Sequence, residues 1–215
     1  MGTTKIYLTR HGETEWNTLR RMQGHMDSPL TEMGKQQGQW LSERLKTVEI
    51  DHIYSSPSGR AMQTSELINV HKKLKINASD NFKEIFLGNW EGRTTVEIES
   101  FDLDRFEKFW HNPEAFIPTD GESFQAIIER TSQEMEAIAK KHEGQTVLIV
   151  AHAVVLKSLI AYVENKELKD FWKGPFMNST CLNCFEKDDS GWTVTMLGDT
   201  SHFPTDVEPK WVHPK

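Results

Sequence analysis

Cysteine is scarce, with two in 215 residues. That excludes a disulfide scaffold and suits a reducing compartment. Long apolar runs are missing as well. The most apolar stretch, 147–156, is interrupted by His152 and has about half the length a bilayer span needs. Basic residues are outnumbered, 25 Lys and Arg against 32 Asp and Glu, for a net charge of −7. An acidic chain is a poor generic partner for nucleic acid or an anionic membrane, so an anionic substrate requires a local basic pocket. Residues 1–5 lack an apolar signal core, and Ile6 stands where a myristoylation motif needs Ser or Thr. There is no internal repeat, low-complexity tract, dinucleotide-type glycine loop or Walker loop. The expectation is one soluble, cytoplasmic domain over 1–215 with no nucleic-acid or membrane partner, its oligomeric state left open.

What is present is ordinary globular composition: 37% hydrophobic, 10% aromatic and 27% charged residues. Apolar patterning predicts strands at 5–9, 51–55, 74–78 and 147–151, the last a continuous apolar run. Helices are predicted at 32–46 after Thr31, at 59–70 after Ser58, at 122–142 and at 154–163. Two late strands, 179–186 and 192–197, flank the polar turn 188–191 and read as an edge hairpin. Alternating strands and helices argue an α/β three-layer sandwich, a mostly parallel sheet with helices on both faces. The stretch 82–120 breaks the rhythm. It holds Phe82, Phe86, Trp90, Phe101, Phe106, Phe109, Trp110 and Phe116, and reads as an inserted, partly helical, lid-like lobe.

Ligands of open α/β sheets bind beyond the carboxyl ends of the strands. Three predicted ends here carry anion-binding residues: Arg10 and His11 after the first strand, Arg60 beyond the second, and His152 directly after the fourth. Each alone is commonly filler or a surface ion pair. Together, two guanidiniums and two imidazoles at one sheet edge match the charge of a phosphate dianion, and the helix N-termini that follow add N–H donors.

Leu8-Thr9-Arg10-His11-Gly12-Glu13-Thr14-Glu15-Trp16-Asn17 resembles the signature of the histidine phosphatase, or phosphoglycerate mutase-like, superfamily. The likeness continues through Gln23-Gly24, Asp27-Ser28-Pro29-Leu30-Thr31, Ser55-Ser56-Pro57, Arg60-Ala61-Met62-Gln63-Thr64, 84–92, Gly121-Glu122-Ser123 and His152. It is strongest to the bacterial broad-specificity phosphatases of that group (PhoE-like). The resemblance implies that His11 is a nucleophile forming phosphohistidine. Arg10, Arg60 and His152 would hold the phosphoryl oxygens, Asn17 would add a donor, and Gln23 and Gly24 would border the phosphate or leaving group. Glu84 would act as proton donor and then as base. To do both, Glu84 must hold a proton part of the time, and Phe82, Phe86 and Trp90 are expected to desolvate it against the pull of the arginines. Ala153 departs from the glycine usual after the second histidine. Its N–H survives as a phosphate donor, so only a need for positive φ would make it harmful.

The resemblance implies small-molecule phosphate esters as substrates, with no metal and no cofactor. Only 67 residues lie between Glu84 and His152, which resembles the shorter phosphatase form of the family. The expected activity is phosphomonoester hydrolysis of broad specificity. Alternatives are a cofactor-dependent phosphoglycerate mutase or a narrower enzyme such as an alpha-ribazole phosphatase. Cys181 and Cys184 form a lone C-x-x-C and read as structural thiols. His25, His52, His71, His111, His142 and His213 lack metal-ligand spacing, and His202 reads as a loop histidine.

Overall fold

The computed structural model describes residues 2–205 and 207. Six strands form one sheet: β1 (Thr4–Arg10), β2 (His52–Ser55), β3 (Ile76–Ala78), β4 (Thr146–Ala151), β5 (Leu182–Asp188) and β6 (Gly191–Asp199). Their order is β3-β2-β4-β1-β5-β6. β1, β2, β3 and β4 run parallel, while β5 and β6 close one edge as the expected antiparallel hairpin. The predicted third strand starts two residues too early, and the hairpin strands run on further than predicted.

Helices α2 (Glu32–Leu45) and α3 (Gly59–Ile68) cover one face of the sheet. α5 (Phe124–Lys141) and α6 (Ala153–Val163) cover the other. β4 shows why both faces need a cover. Val147, Ile149 and Ala151 join the cluster under α5 and α6, while Leu148 and Val150 join Leu41, Leu45, Ala61 and Ile68 under α2 and α3. Alternation on a strand that is apolar throughout is what a doubly covered parallel sheet demands.

Two helices complete the set. α1 (Glu15–Thr18) is one turn held by a reciprocal cap between Thr14 and Asn17, too short for periodicity to reveal. α4 (Thr95–His111) starts from a second reciprocal cap, Thr94 with Glu97, and breaks at Asp102, where φ is −147° and ψ is 40°. The Asp102 carboxylate accepts from Trp90 Nε1 at 2.7 Å and pairs with Arg105. α4 is the helical part of the aromatic stretch. Trp90, Phe106, Phe109 and Phe116 are buried in it against Phe124 of α5. Phe101 is exposed, lying under the Arg93 guanidinium rather than in the packing.

The register of β1 on β4 fixes the functional end of the sheet. Arg10 pairs with Ala151, and the His11 N–H donates to the Ala151 carbonyl at 3.0 Å. The next residues on the two strands, His11 and His152, therefore emerge side by side.

Candidate active site

The loop after β1 is pinned from three sides. The Gly12 N–H donates to Thr64 Oγ1 of α3 at 3.0 Å, the Glu13 N–H donates to Gln37 Oε1 of α2 at 2.9 Å, and the Thr31 N–H donates to the Glu13 carbonyl. A Cβ on Gly12 would meet the Gly34 carbonyl oxygen at 2.4 Å, so glycine lets loop and helix come this close.

His11 is buried, and its Nδ1 lies 2.7 Å from the Gly12 carbonyl oxygen. A carbonyl only accepts, so Nδ1 carries the proton and the Nε2 lone pair is left free. Burial, then the charges of Arg60 and Arg10, hold the imidazole well below its usual range. It is neutral at neutral pH, the state a nucleophile needs.

The two guanidiniums are anchored so that each keeps the same edge available. Arg60, 1% exposed at the start of α3, gives Nη1 to the Met26 carbonyl (2.6 Å) and Asp27 Oδ1 (2.9 Å), and Nη2 to the Gly24 carbonyl (2.9 Å). Arg10 gives Nη1 to the Met177 carbonyl at 2.9 Å. Both Nε atoms are buried without a partner. What remains on each is the side-on fork of Nε–H and a neighbouring Nη2–H, the geometry that grips an oxyanion in bidentate fashion.

His152, fully buried, caps α6 and lies with its ring 5.2 Å from that of His11. Its Nε2 is 2.8 Å from Ser56 Oγ, and its Nδ1 has no partner. Ser56 Oγ already accepts the Ser58 N–H at 3.3 Å and lies 3.1 Å from Ser58 Oγ. The Ser56 hydroxyl has one proton to give; given to Nε2, it puts the ring proton on Nδ1 as a free donor.

Glu84 is partly buried. Its Oε1 accepts from the Ile85 N–H at 2.9 Å and its Oε2 from the Val154 N–H of α6 at 3.3 Å. Burial raises its pKa and outweighs these two N–H groups and the nearby Arg60 and Arg10, which all favour the anion. The contest left open by the sequence is won by desolvation. Of the aromatics expected around it, Phe82 and Trp90 are buried and Phe86 is 39% exposed; the cavity lining includes none of the three, and does include Ile85, Leu87 and Val154.

One cavity is lined by Arg10, His11, Asn17, Gln23, Gly24, Arg60, Glu84 and Ala153. His152 stands just behind this lining, in contact with His11. Asn17 Oδ1 is taken by the Thr14 N–H and hydroxyl, so it has only its amide hydrogens to offer. Gln23 Nε2 donates to Thr14 Oγ1 at 2.9 Å, leaving Oε1 as a buried acceptor without a partner. Gly24 has φ +52° and presents its carbonyl to Arg60. Ala153 is not in the left-handed region, so glycine is not demanded there. Its N–H has no acceptor among the described residues.

The outer wall contains residues that strand-end reasoning missed: Arg20, Arg21, Met22, Thr95, Lys157, Trp172, Phe176 and Met177. Phe109 and Trp110 also reach it, so part of the aromatic lobe does face the cavity. Lys157 lies one helical turn beyond Ala153 on the same face. His202 is one step removed from the site. Its Nε2 lies 3.4 Å from Thr180 Oγ1, while the Thr180 N–H donates to the Arg10 carbonyl. Cys181 and Cys184 are free and buried, and the described residues contain no cluster of three or more potential metal ligands. No helix among them is long and apolar enough to cross a membrane.

Known proteins share both sequence and fold with this chain. The family model described as "Histidine phosphatase superfamily (branch 1)" matches residues 6–200. The chain is 33% identical to the Arabidopsis thaliana "Phosphoglycerate mutase-like protein 4" over 202 residues, 92% of this chain and 86% of that one. It is 33% identical to "Phosphoserine phosphatase 1" of Hydrogenobacter thermophilus over 168 residues, 78% and 80% of the two chains. The solved structure of Bacillus stearothermophilus YhfR superposes with a TM-score of 0.91 at 44% identity, covering 93% of this chain and 98% of that one. With a family model matching residues 6–200, the chain belongs to the histidine phosphatase superfamily.

Proposed function

We propose that this protein is a phosphomonoester hydrolase of broad specificity that works through phosphohistidine on His11. The observation that carries the reading is the set of orphaned donors. Arg10 Nε, Arg60 Nε and His152 Nδ1 are buried without partners, and all three belong to residues around the free Nε2 of His11. Unpaired buried donors are costly, and a phosphoryl group would satisfy all of them together.

The chemistry balances with these residues. The Nε2 lone pair attacks phosphorus, the P–N bond forms and the ester P–O bond breaks. The leaving alkoxide takes the proton of Glu84, whose raised pKa supports carrying one. Water then attacks phosphorus, passes a proton to the Glu84 carboxylate, and the P–N electron pair returns to Nε2. The two guanidiniums offset the two charges of the phosphoryl dianion, so the reaction as written calls for no metal. Gln23 Oε1 is suited to accept from a hydroxyl, either of the water or of the leaving alcohol. Small phosphate esters are the substrates on this reading, in a cytoplasmic setting.

The test is a screen of phosphate esters with wild type and His11→Ala. Hydrolysis with a covalent phosphoryl label on the wild type, and loss of both in His11→Ala, is the expected result. Normal turnover by His11→Ala would overturn the assignment. A mutase reading draws on the name of the Arabidopsis relative. It predicts that 2,3-bisphosphoglycerate speeds interconversion of 2- and 3-phosphoglycerate beyond the rate of phosphate release.

A further inference from the structure

Glu84 lies in a stretch that no strand or helix holds, between the 3₁₀ turns Asp80–Phe82 and Gly88–Trp90. The main-chain polar groups of such a stretch need partners, and here one ion pair supplies them. Arg130 of α5 gives Nη1 to the Asn81 carbonyl at 2.7 Å and Nη2 to the Glu84 carbonyl at 3.2 Å. Its Nε and Nη2 also grip the Glu122 carboxylate side-on, at 2.7 and 2.8 Å. Glu122, just before the Ser123 cap of α5, passes the hold on. Its Oε2 accepts the Phe86 N–H at 3.3 Å, and its own N–H donates to the Phe86 carbonyl at 2.7 Å. The chain is thus tied to α5 before, at and after Glu84.

The pair stands behind the Glu84 backbone, not in front of its carboxyl group. Glu84, Ile85 and Leu87 line the phosphoryl cavity, whereas Lys83 and Phe86 line a separate outer groove together with Glu122 and Arg130. The lining of the phosphoryl cavity includes no residue of α5. The carboxyl tip accepts from the Ile85 and Val154 N–H groups, and both bonds favour the anion. They weaken when the carboxyl takes up a proton. In the acid form, the aim of the side chain therefore depends on its fixed root.

We propose that Arg130 and Glu122 are positioning residues for Glu84, holding its main chain so that the protonated carboxyl stays in reach of the leaving oxygen. This rests on the hydrolase reading above.

The experiment measures kcat and KM for butyl phosphate and phenyl phosphate. In kcat/KM only the steps up to phosphohistidine count, where an alkoxide needs a proton and a phenolate leaves with little help. Arg130→Ala should lower kcat/KM for butyl phosphate about a hundredfold, the scale of a misplacement of about 1 Å, and for phenyl phosphate far less. The loss should fall on kcat, with KM little changed, because Arg10 and Arg60 still grip the phosphoryl group. A looser fold would depress both esters alike. So would the lost charge on His152, whose pKa Arg130 helps to lower. Equal losses on the two esters, or no loss on either, would overturn the proposal.

Glu122→Gln is the second variant, and it decides the matter if Arg130→Ala does not fold. It keeps the shape and an acceptor for the Phe86 N–H, but gives up the charge and one of the two bonds to Arg130. The ratio of phenyl to butyl kcat/KM should rise, by less than in Arg130→Ala, and a ratio as in wild type would overturn the proposal. Glu84→Gln on the same esters keeps the possible failures apart. If it spares phenyl phosphate while Arg130→Ala does not, the positioning role falls and the proton donor stands. If it lowers both alike, the proton donor falls too. Failure of wild type to hydrolyse either ester would bring down the hydrolase reading itself.

Discussion

The hydroxyl of Ser56 lies 2.8 Å from Nε2 of His152, and this contact decides which edge of that imidazole can donate. With the hydroxyl as donor, Nδ1 keeps its proton. Without it, either tautomer is open, and the one with a bare Nδ1 sets a lone pair against an oxyanion. Ser56→Ala should therefore lower kcat/KM for phosphate esters about tenfold, the worth of one hydrogen bond in orientation. Ser56 acts through His152, so the decisive readout is the 15N spectrum of the His152 ring. It should report Nδ1–H in wild type and a tautomer mixture in the variant.

On the proposed mechanism, Glu84→Gln removes the proton donor while keeping the shape. General acid catalysis contributes about 10²- to 10⁴-fold. That loss is expected for alkyl phosphates, whose alkoxides leave poorly. For an aryl phosphate, whose phenolate leaves unaided, formation of phosphohistidine should slow far less. Stopped-flow measurement of phenolate release against steady-state turnover separates the two. Equal losses on both esters would show that Glu84 is not the proton donor.

The pH dependence follows from the two shifts. His11 is held well below its ordinary range by burial first and then by Arg60 and Arg10, so protonation silences the nucleophile only at lower pH than for a free imidazole. Glu84 is raised by burial, so its acid form persists above the ordinary carboxylate range. The profile of kcat/KM for an alkyl phosphate should be bell-shaped, with an acid limb displaced downward and an alkaline limb displaced upward. In Glu84→Gln the alkaline limb should vanish. Using the same ester for both proteins removes the contribution of substrate ionisation.

Gly24 joins two parts of the site. Its φ of +52° disfavours a side chain, and an added Cβ would meet Glu91 Oε1 at 2.1 Å. That carboxylate oxygen accepts from the His25 and Leu87 N–H groups, linking the Gln23-Gly24 loop to the segment after Glu84. Gly24→Ala should destabilise the fold by about 1–2 kcal/mol from the backbone alone. Activity should fall further, because the Gly24 carbonyl anchors Arg60. Urea denaturation and ester hydrolysis measure the two effects.

The sheet was legible because its central strand β4 is apolar on both faces and its crossover helices start where expected, after Thr31, which caps α2, and after Ser58, which stands at the N-cap of α3 without a side-chain cap bond. His11, Arg10, Arg60 and His152 were legible because β1, β2 and β4 end together. Glu84 was not legible from pattern. It sits in irregular chain between short 3₁₀ turns, and only the family likeness singled it out. The break of α4 at Asp102 left no signal either, since it depends on Trp90 and Arg105 meeting one carboxylate. Lys157 escaped for the opposite reason. A basic residue in an apolar helix reads as a snorkelling surface group until the loop that buries it, around Trp172 and Lys173, is in place.

His11 and His152 are 141 positions apart in the chain and meet only because β1 lies beside β4. The reagents thus cannot assemble on a growing N-terminal portion. A ribosome-bound chain that has exposed three strands and two covering helices would still be catalytically silent, and catalysis would switch on with the closing of the central strand pair. Regain of turnover is then a late, long-range event in refolding, and it clocks completion of the sheet rather than collapse of its first half.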